Sequence, residues 1–75
     1  MDNHEMTFRQ TVKIALIQRE MKLNDLAKAV NEATGKHYDG QYLLKVMDGR
    51  VKSYPAITAI CELLGLDIPD SYYTG

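Results

Sequence analysis

At 75 residues the chain is long enough for one domain, and short enough that a single core leaves little stability to spare. Apolar residues make up 45% of it, which excludes a disordered chain, and no apolar run approaches the ~20 residues needed to cross a bilayer. The net charge is −1, but all nine Lys and Arg lie between Arg9 and Lys52, where five acids leave +4, while the flanks carry only acids and −5. An acidic chain can therefore present a basic middle.

The opening MDNHEMTFRQ has neither the basic start nor the apolar stretch of a signal peptide, so the expected compartment is the cytoplasm. A single cysteine, Cys61, agrees with that, and its place on an apolar helical stripe predicts a buried small hydrophobe.

The pattern is helical nearly throughout. Phe8, Val12, Ala15, Leu16 and Arg19 mark one face of a first helix, with Ile14 and Ile17 beside it, Thr7 as cap and an end near Glu20. In LNDLAKAVNEA, Leu23, Leu26, Ala27 and Val30 form a second amphipathic stripe, with Gly35 as the stop. Residues 39–48 predict a third, short helix, capped by Asp39 and closed by Gly49, with Leu43, Val46 and Met47 inward. The fourth starts near Pro55, buries Ile57, Ile60, Cys61 and Leu64, and ends at Gly65, with Leu66 folding back. Beyond Pro69, Tyr72 and Tyr73 are expected against the core. The expected fold class is all-α, one compact four-helix bundle spanning 1–75 with its core at about 8–68.

Catalysis has little support. No nucleophile–base arrangement, glycine-rich phosphate loop or metal-ligand spacing is present, so no enzyme activity, cofactor, metal or small-molecule ligand is expected. His4 and His37 are isolated.

The order of elements is more informative. MKLNDLAKAV, then a turn, a short capped helix, Gly49-Arg50 and an ICELLGL helix, resembles the Cro-like and lambda-repressor-like (XRE) helix-turn-helix family across about residues 8–68. The resemblance rests on Leu26-Ala27, Leu43 and Val46, Gly49-Arg50, Ala59-Ile60 and Leu64-Gly65-Leu66. It implies a sequence-specific DNA-binding regulator of transcription, a small phage- or mobile-element-type repressor. Helix two would brace the phosphate backbone, and helix 39–48 would enter the major groove. It further implies a homodimer on a pseudo-palindrome; the fourth helix and the Tyr72-Tyr73 tail are the contacts considered.

The residues supply a matching chemistry. Gly40 lets the backbone of the short helix approach another surface. Gln41 can pair two hydrogen bonds with adenine, and Lys45, one turn on, can reach guanine or phosphate. Tyr42 serves equally as a base or phosphate contact or as a core residue. Lys22 and Lys36 flank the helix, and Arg50 and Lys52 form a basic loop suited to gripping phosphates. Three features depart from the family pattern. Leu23 stands where the family places a Gln, and Lys22 where it places a Ser or Thr cap. The turn before the short helix is also about six residues longer, with NEATGK as the excess, so that either helix two gains a turn or the loop bulges. The alternative function is a helical protein-interaction module that binds no DNA, supported by the acidic pI, the outward position expected for Leu44 and the long turn.

Overall fold

The computed structural model describes residues 7–70 and Tyr72. Their regular structure is four helices, α1 (Phe8–Gln18), α2 (Leu23–Thr34), α3 (Gly40–Met47) and α4 (Tyr54–Leu64), with no strand among the described residues. The all-α expectation therefore holds. The expected packing of Tyr73, and the positions of Asp2, His4 and Glu5, lie outside the described residues.

Local chemistry sets nearly every helix end. Thr7 and Gln10 form a reciprocal capping box, the Thr7 hydroxyl accepting from Gln10 N–H at 3.1 Å and the Gln10 side chain accepting from Thr7 N–H at 2.9 Å. Asp39 accepts from Tyr42 N–H at 2.7 Å, and Ser53 Oγ accepts from Ala56 N–H at 3.4 Å. Pro55 occupies the first turn of α4, one residue later than the helix start. Gly35, Gly49 and Gly65 each turn left-handed, with φ of 72°, 78° and 68°, and close α2, α3 and α4. After Gly49 the amide of Arg50 donates to the Lys45 carbonyl at 2.9 Å, and after Gly65 that of Leu66 donates to Cys61 at 2.8 Å.

The core lies where α2 crosses α4, with α3 against both and α1 closing the side. Val12, Leu26, Val30, Leu43, Val46, Ile57 and Ile60 are its largest fully buried members. Cys61 is buried among them as expected. Burial raises its thiol pKa, and nearby Asp67 raises it further, so the reactive thiolate is disfavoured.

Three expectations change. Ile14 and Ile17, placed beside the buried stripe of α1, are 42% and 65% exposed, Ile17 at the rim of a groove with Leu16, Met21, Leu23, Leu44 and Met47. Leu44, expected outward, is half-buried against the core. Helix α1 stops at Gln18 rather than near Glu20, because Glu20 itself adopts the left-handed conformation, φ 56°, and lets Met21 N–H reach back to the Leu16 carbonyl at 2.9 Å.

A side chain in that conformation costs on the order of 1 kcal/mol that glycine avoids. Glu20→Gly is therefore expected to stabilise the fold by about 0.5–1 kcal/mol, read as a higher urea midpoint at unchanged slope. An unchanged or lower midpoint would show that Glu20 makes a compensating interaction.

Candidate nucleic-acid interface

Helix α3 is eight residues long, below the length at which a helix is stable alone, so its neighbours hold it. Leu43 and Val46 are 0% exposed, and Met47 is buried beside them. Burying three such side chains contributes roughly 5–8 kcal/mol toward docking the helix, before its ordering cost. With that face inward, Gln41 and Lys45 project outward and are exposed.

The amino end of α3 sits on the start of α2. A Cβ on Gly40 would lie 3.0 Å from Leu23 Cδ2 and 3.6 Å from Asn24 Oδ1. The surface that Gly40 approaches so closely is thus Leu23 of its own chain. This accounts for an apolar residue at the start of α2: Leu23 supports α3 rather than reaching outward. Lys22, next to it, provides no side-chain cap, and its amide donates to Asp25 Oδ2 at 2.9 Å. Its side chain is exposed.

The long turn resolves into both of its alternatives. Asn31, Glu32, Ala33 and Thr34 continue α2, and residues 35–39 form the loop. The Asn31 amide clamps that loop from below. Its Oδ1 accepts from Tyr38 N–H at 2.7 Å, and its Nδ2 donates to the Tyr38 carbonyl at 2.9 Å. Tyr38 in turn stacks on Tyr42, rings parallel within 2° and centroids 5.0 Å apart. Tyr42 is therefore half-buried, with one ring face in an intramolecular stack. Neither Asn31 nor Tyr38 stood out in the sequence, because the bonds that matter connect a mid-helix amide to a loop backbone.

A shallow groove of about 530 Å³ runs between α2 and this loop, lined by Lys28, Asn31, Glu32, Lys36, His37, Asp39 and Gly40 among others. It brings Lys36 and Gly40 together, and adds Lys28 of α2. Two carboxylates stand among its two lysines. Asp39 is occupied in capping α3. At the other end of α3 the Arg50 amide donates to the Lys45 carbonyl, and both side chains are exposed. Asp48 beside them is paired with Arg9 of α1 at 3.0 Å.

Lys52 has a partner within the chain. It was expected to grip phosphates, but its Nζ donates to the Tyr72 carbonyl at 3.0 Å and lies 4.5 Å from the centroid of the Tyr72 ring. The ring is buried, 4% exposed, edge-on to Tyr54 at 5.5 Å. Its hydroxyl accepts from the buried Ser53 N–H at 2.6 Å and donates to the Val51 carbonyl at 3.4 Å. Tyr72 thus ties down the α3–α4 loop at Val51, Lys52 and Ser53.

Among the described residues no group of three His, Cys, Asp or Glu is placed to hold a metal ion, and no helix is long and apolar enough to cross a membrane. No protein-family model, curated protein or solved structure matches the chain.

Removing the Tyr72 hydroxyl leaves the Ser53 amide without its acceptor, so Tyr72→Phe is expected to cost about 1–3 kcal/mol in urea unfolding. Burial raises the Tyr72 pKa above its ordinary value of 10.0; the Ser53 amide opposes this, and Tyr54 and Tyr42 add to it. The folded state thus favours the neutral phenol, and this contribution is complete below the unfolded value and lost as pH rises through the folded one. Stability should fall above about pH 10, and less steeply in Tyr72→Phe. An equally steep alkaline fall in the variant would remove Tyr72 as its source.

Proposed function

We propose that the chain is a sequence-specific DNA-binding regulator of transcription of the Cro-like and lambda-repressor-like type, acting as a small repressor with α3 in the major groove. The observation that carries the reading is the mounting of α3: a helix too short to stand alone, fixed by Leu43, Val46 and Met47, with Gln41 and Lys45 directed outward. Rigid presentation of a few side chains is what reading base edges requires, since a bidentate pair works only at fixed register. Lys22, Lys28 and Lys36 at one end of α3, and Lys45 and Arg50 at the other, suit the phosphates on either side of a groove.

The acids among them weigh less than their number. Asp25 and Asp39 sit at helix N-termini, where the helix dipole offsets part of a negative charge, and Asp48 faces Arg9. Glu32 and Asp39 in the α2–loop groove favour the second reading, a protein-interaction module whose partner meets that groove.

Titration of duplex DNA at several salt concentrations distinguishes the two. With five cations on phosphates, the log–log slope is expected at about −4 to −5 per protomer. Gln41→Ala should weaken the preferred site by about 1–3 kcal/mol and relax the choice at one base position. Lys45→Ala should weaken binding and reduce the slope by about one unit if it meets phosphate. Lys52→Ala, its ammonium already held by Tyr72, should leave the slope unchanged. No DNA binding at low salt would leave the protein-interaction reading, and a Gln41→Ala loss equal for all sequences would remove α3 as the base-reading element.

A further inference from the structure

A second groove, of about 400 Å³, lies between α1, the start of α2 and α3. Val12, Leu16 and Met47, all buried, form its floor. Met21, Leu23 and Leu44, half-buried, form its walls, and Ile17, 65% exposed, stands on the rim. A lone exposed isoleucine is ordinary. Here it extends a continuous apolar surface, and two members of that surface are methionines, whose unbranched side chains refit to different occupants.

The charge of this groove is one-sided. Its remaining lining groups are Arg9 and Lys13 of α1, and among the described residues no carboxylate lines it. Arg9 gives one nitrogen to Asp48 at 3.0 Å and is half exposed, so its other donors stay open. Lys13 is exposed and has no ion pair or side-chain hydrogen bond among the described residues. The α2–loop groove differs, since Glu32 and Asp39 stand there among the lysines. In a chain with ten acids to nine bases, an apolar groove bordered by cations alone selects an occupant that is apolar on one side and acidic beside it.

The same lining fixes the form of the occupant. Strand addition needs a sheet edge, and the described residues hold no strand. Proline-rich segments dock on aromatic side chains, and none lines this groove. An amphipathic helix needs neither, because it inserts apolar side chains at i, i+3 or i+4 and i+7. From Arg9 to Ile17, α1 borders the groove for about 12 Å, which matches the length of that set.

We propose that this groove binds an acidic amphipathic helix of another protein, with apolar side chains against Leu16, Leu44 and Met47 and carboxylates against Arg9 and Lys13. The site lies apart from the α2–loop groove and does not require DNA. The Tyr72 tail, considered above as a contact to a second copy, is buried in its own chain and is no rival occupant.

The test uses the full chain without DNA. Selection from a displayed library of random peptides of about 16 residues is expected to enrich that apolar spacing together with Asp or Glu. The enriched peptides, once synthesised, should turn helical on binding by circular dichroism, with dissociation constants on the order of 10–100 μM for so small an interface. Ile17→Glu, at an exposed position that leaves the fold intact, should weaken binding about tenfold. Lys13→Glu should weaken it about fivefold, and peptides carrying Lys in place of their acids should bind Lys13→Glu more tightly than the unaltered chain. Lys28→Glu, in the other groove, should change nothing, which separates this site from the interaction module considered above. No enriched peptide, enriched peptides without acids, binding indifferent to Ile17→Glu, or binding lost in Lys28→Glu would overturn the proposal. Self-association through Ile17, read by sedimentation, would make a second copy the occupant and overturn it equally.

Discussion

Everything at the candidate interface depends on docking an eight-residue helix onto a bundle that barely has a core to spare. Local bonds cannot hold α3, because nucleating so short a helix costs more than its few hydrogen bonds return. Leu43 and Val46 therefore have to be wholly inside, and the amino end must come down close on α2. Gly40 permits that approach and Leu23 fills the space a side chain would have taken. The two residues are one device, and each looks anomalous without the other. An apolar Leu23 at the start of α2 has no capping or phosphate function. A glycine at the first position of a helix lowers its stability. Together they set the distance at which α3 stands.

The remaining irregular segments are fixed by buried or half-buried polar bonds rather than by more core. Five residues of loop before α3 are tied by one Asn31 side chain that satisfies both the donor and the acceptor of Tyr38. The α3–α4 loop is tied by Tyr72, which brings an acceptor to the buried Ser53 amide and a ring and carbonyl to the Lys52 ammonium. This economy suits a small domain. Each clamp spans a segment that apolar packing could not reach, and each satisfies backbone groups that would otherwise be stranded. Both clamps flank α3, one before it and one after, so the helix is fixed in register as well as in depth.

Features governed by neighbours in sequence were legible from the residues. The caps at Thr7 and Asp39, the left-handed stops at Gly35, Gly49 and Gly65, and the inward sets of α2, α3 and α4 follow from spacing within a few positions. What escaped was decided by side-chain contacts that helical spacing does not announce. Lys52 reads as a free loop cation until Tyr72, twenty residues on, takes its charge. Tyr42 reads equally as a contact or a core residue until Tyr38 stacks on it across the loop. Ile14 and Ile17 read as part of a wide apolar face, since periodicity over eleven residues does not separate a broad buried stripe from a narrow one with exposed neighbours. Glu20 escaped for another reason: a left-handed glutamate leaves no mark in composition, where a glycine would have announced the stop.

The distribution of charge follows from the same economy. A domain this small uses most of its carboxylates structurally in the stretch between Arg9 and Lys52. Asp25 and Asp39 bind amides at the starts of α2 and α3, and Asp48 holds Arg9 across to α1. Their negative charge is thereby committed to helix ends and to one ion pair, close to groups that partly offset it. Most of the cations in that stretch have no such duty. Lys22, Lys28, Lys36, Lys45 and Arg50 are exposed, and Lys28 and Lys36 line the groove beside the start of α3. The net charge of −1 is thus a poor guide to the field near α3. What a partner meets there is set by which charges the fold has already used, and capping chemistry uses acids preferentially, because the groups left unsatisfied at a helix start are donors.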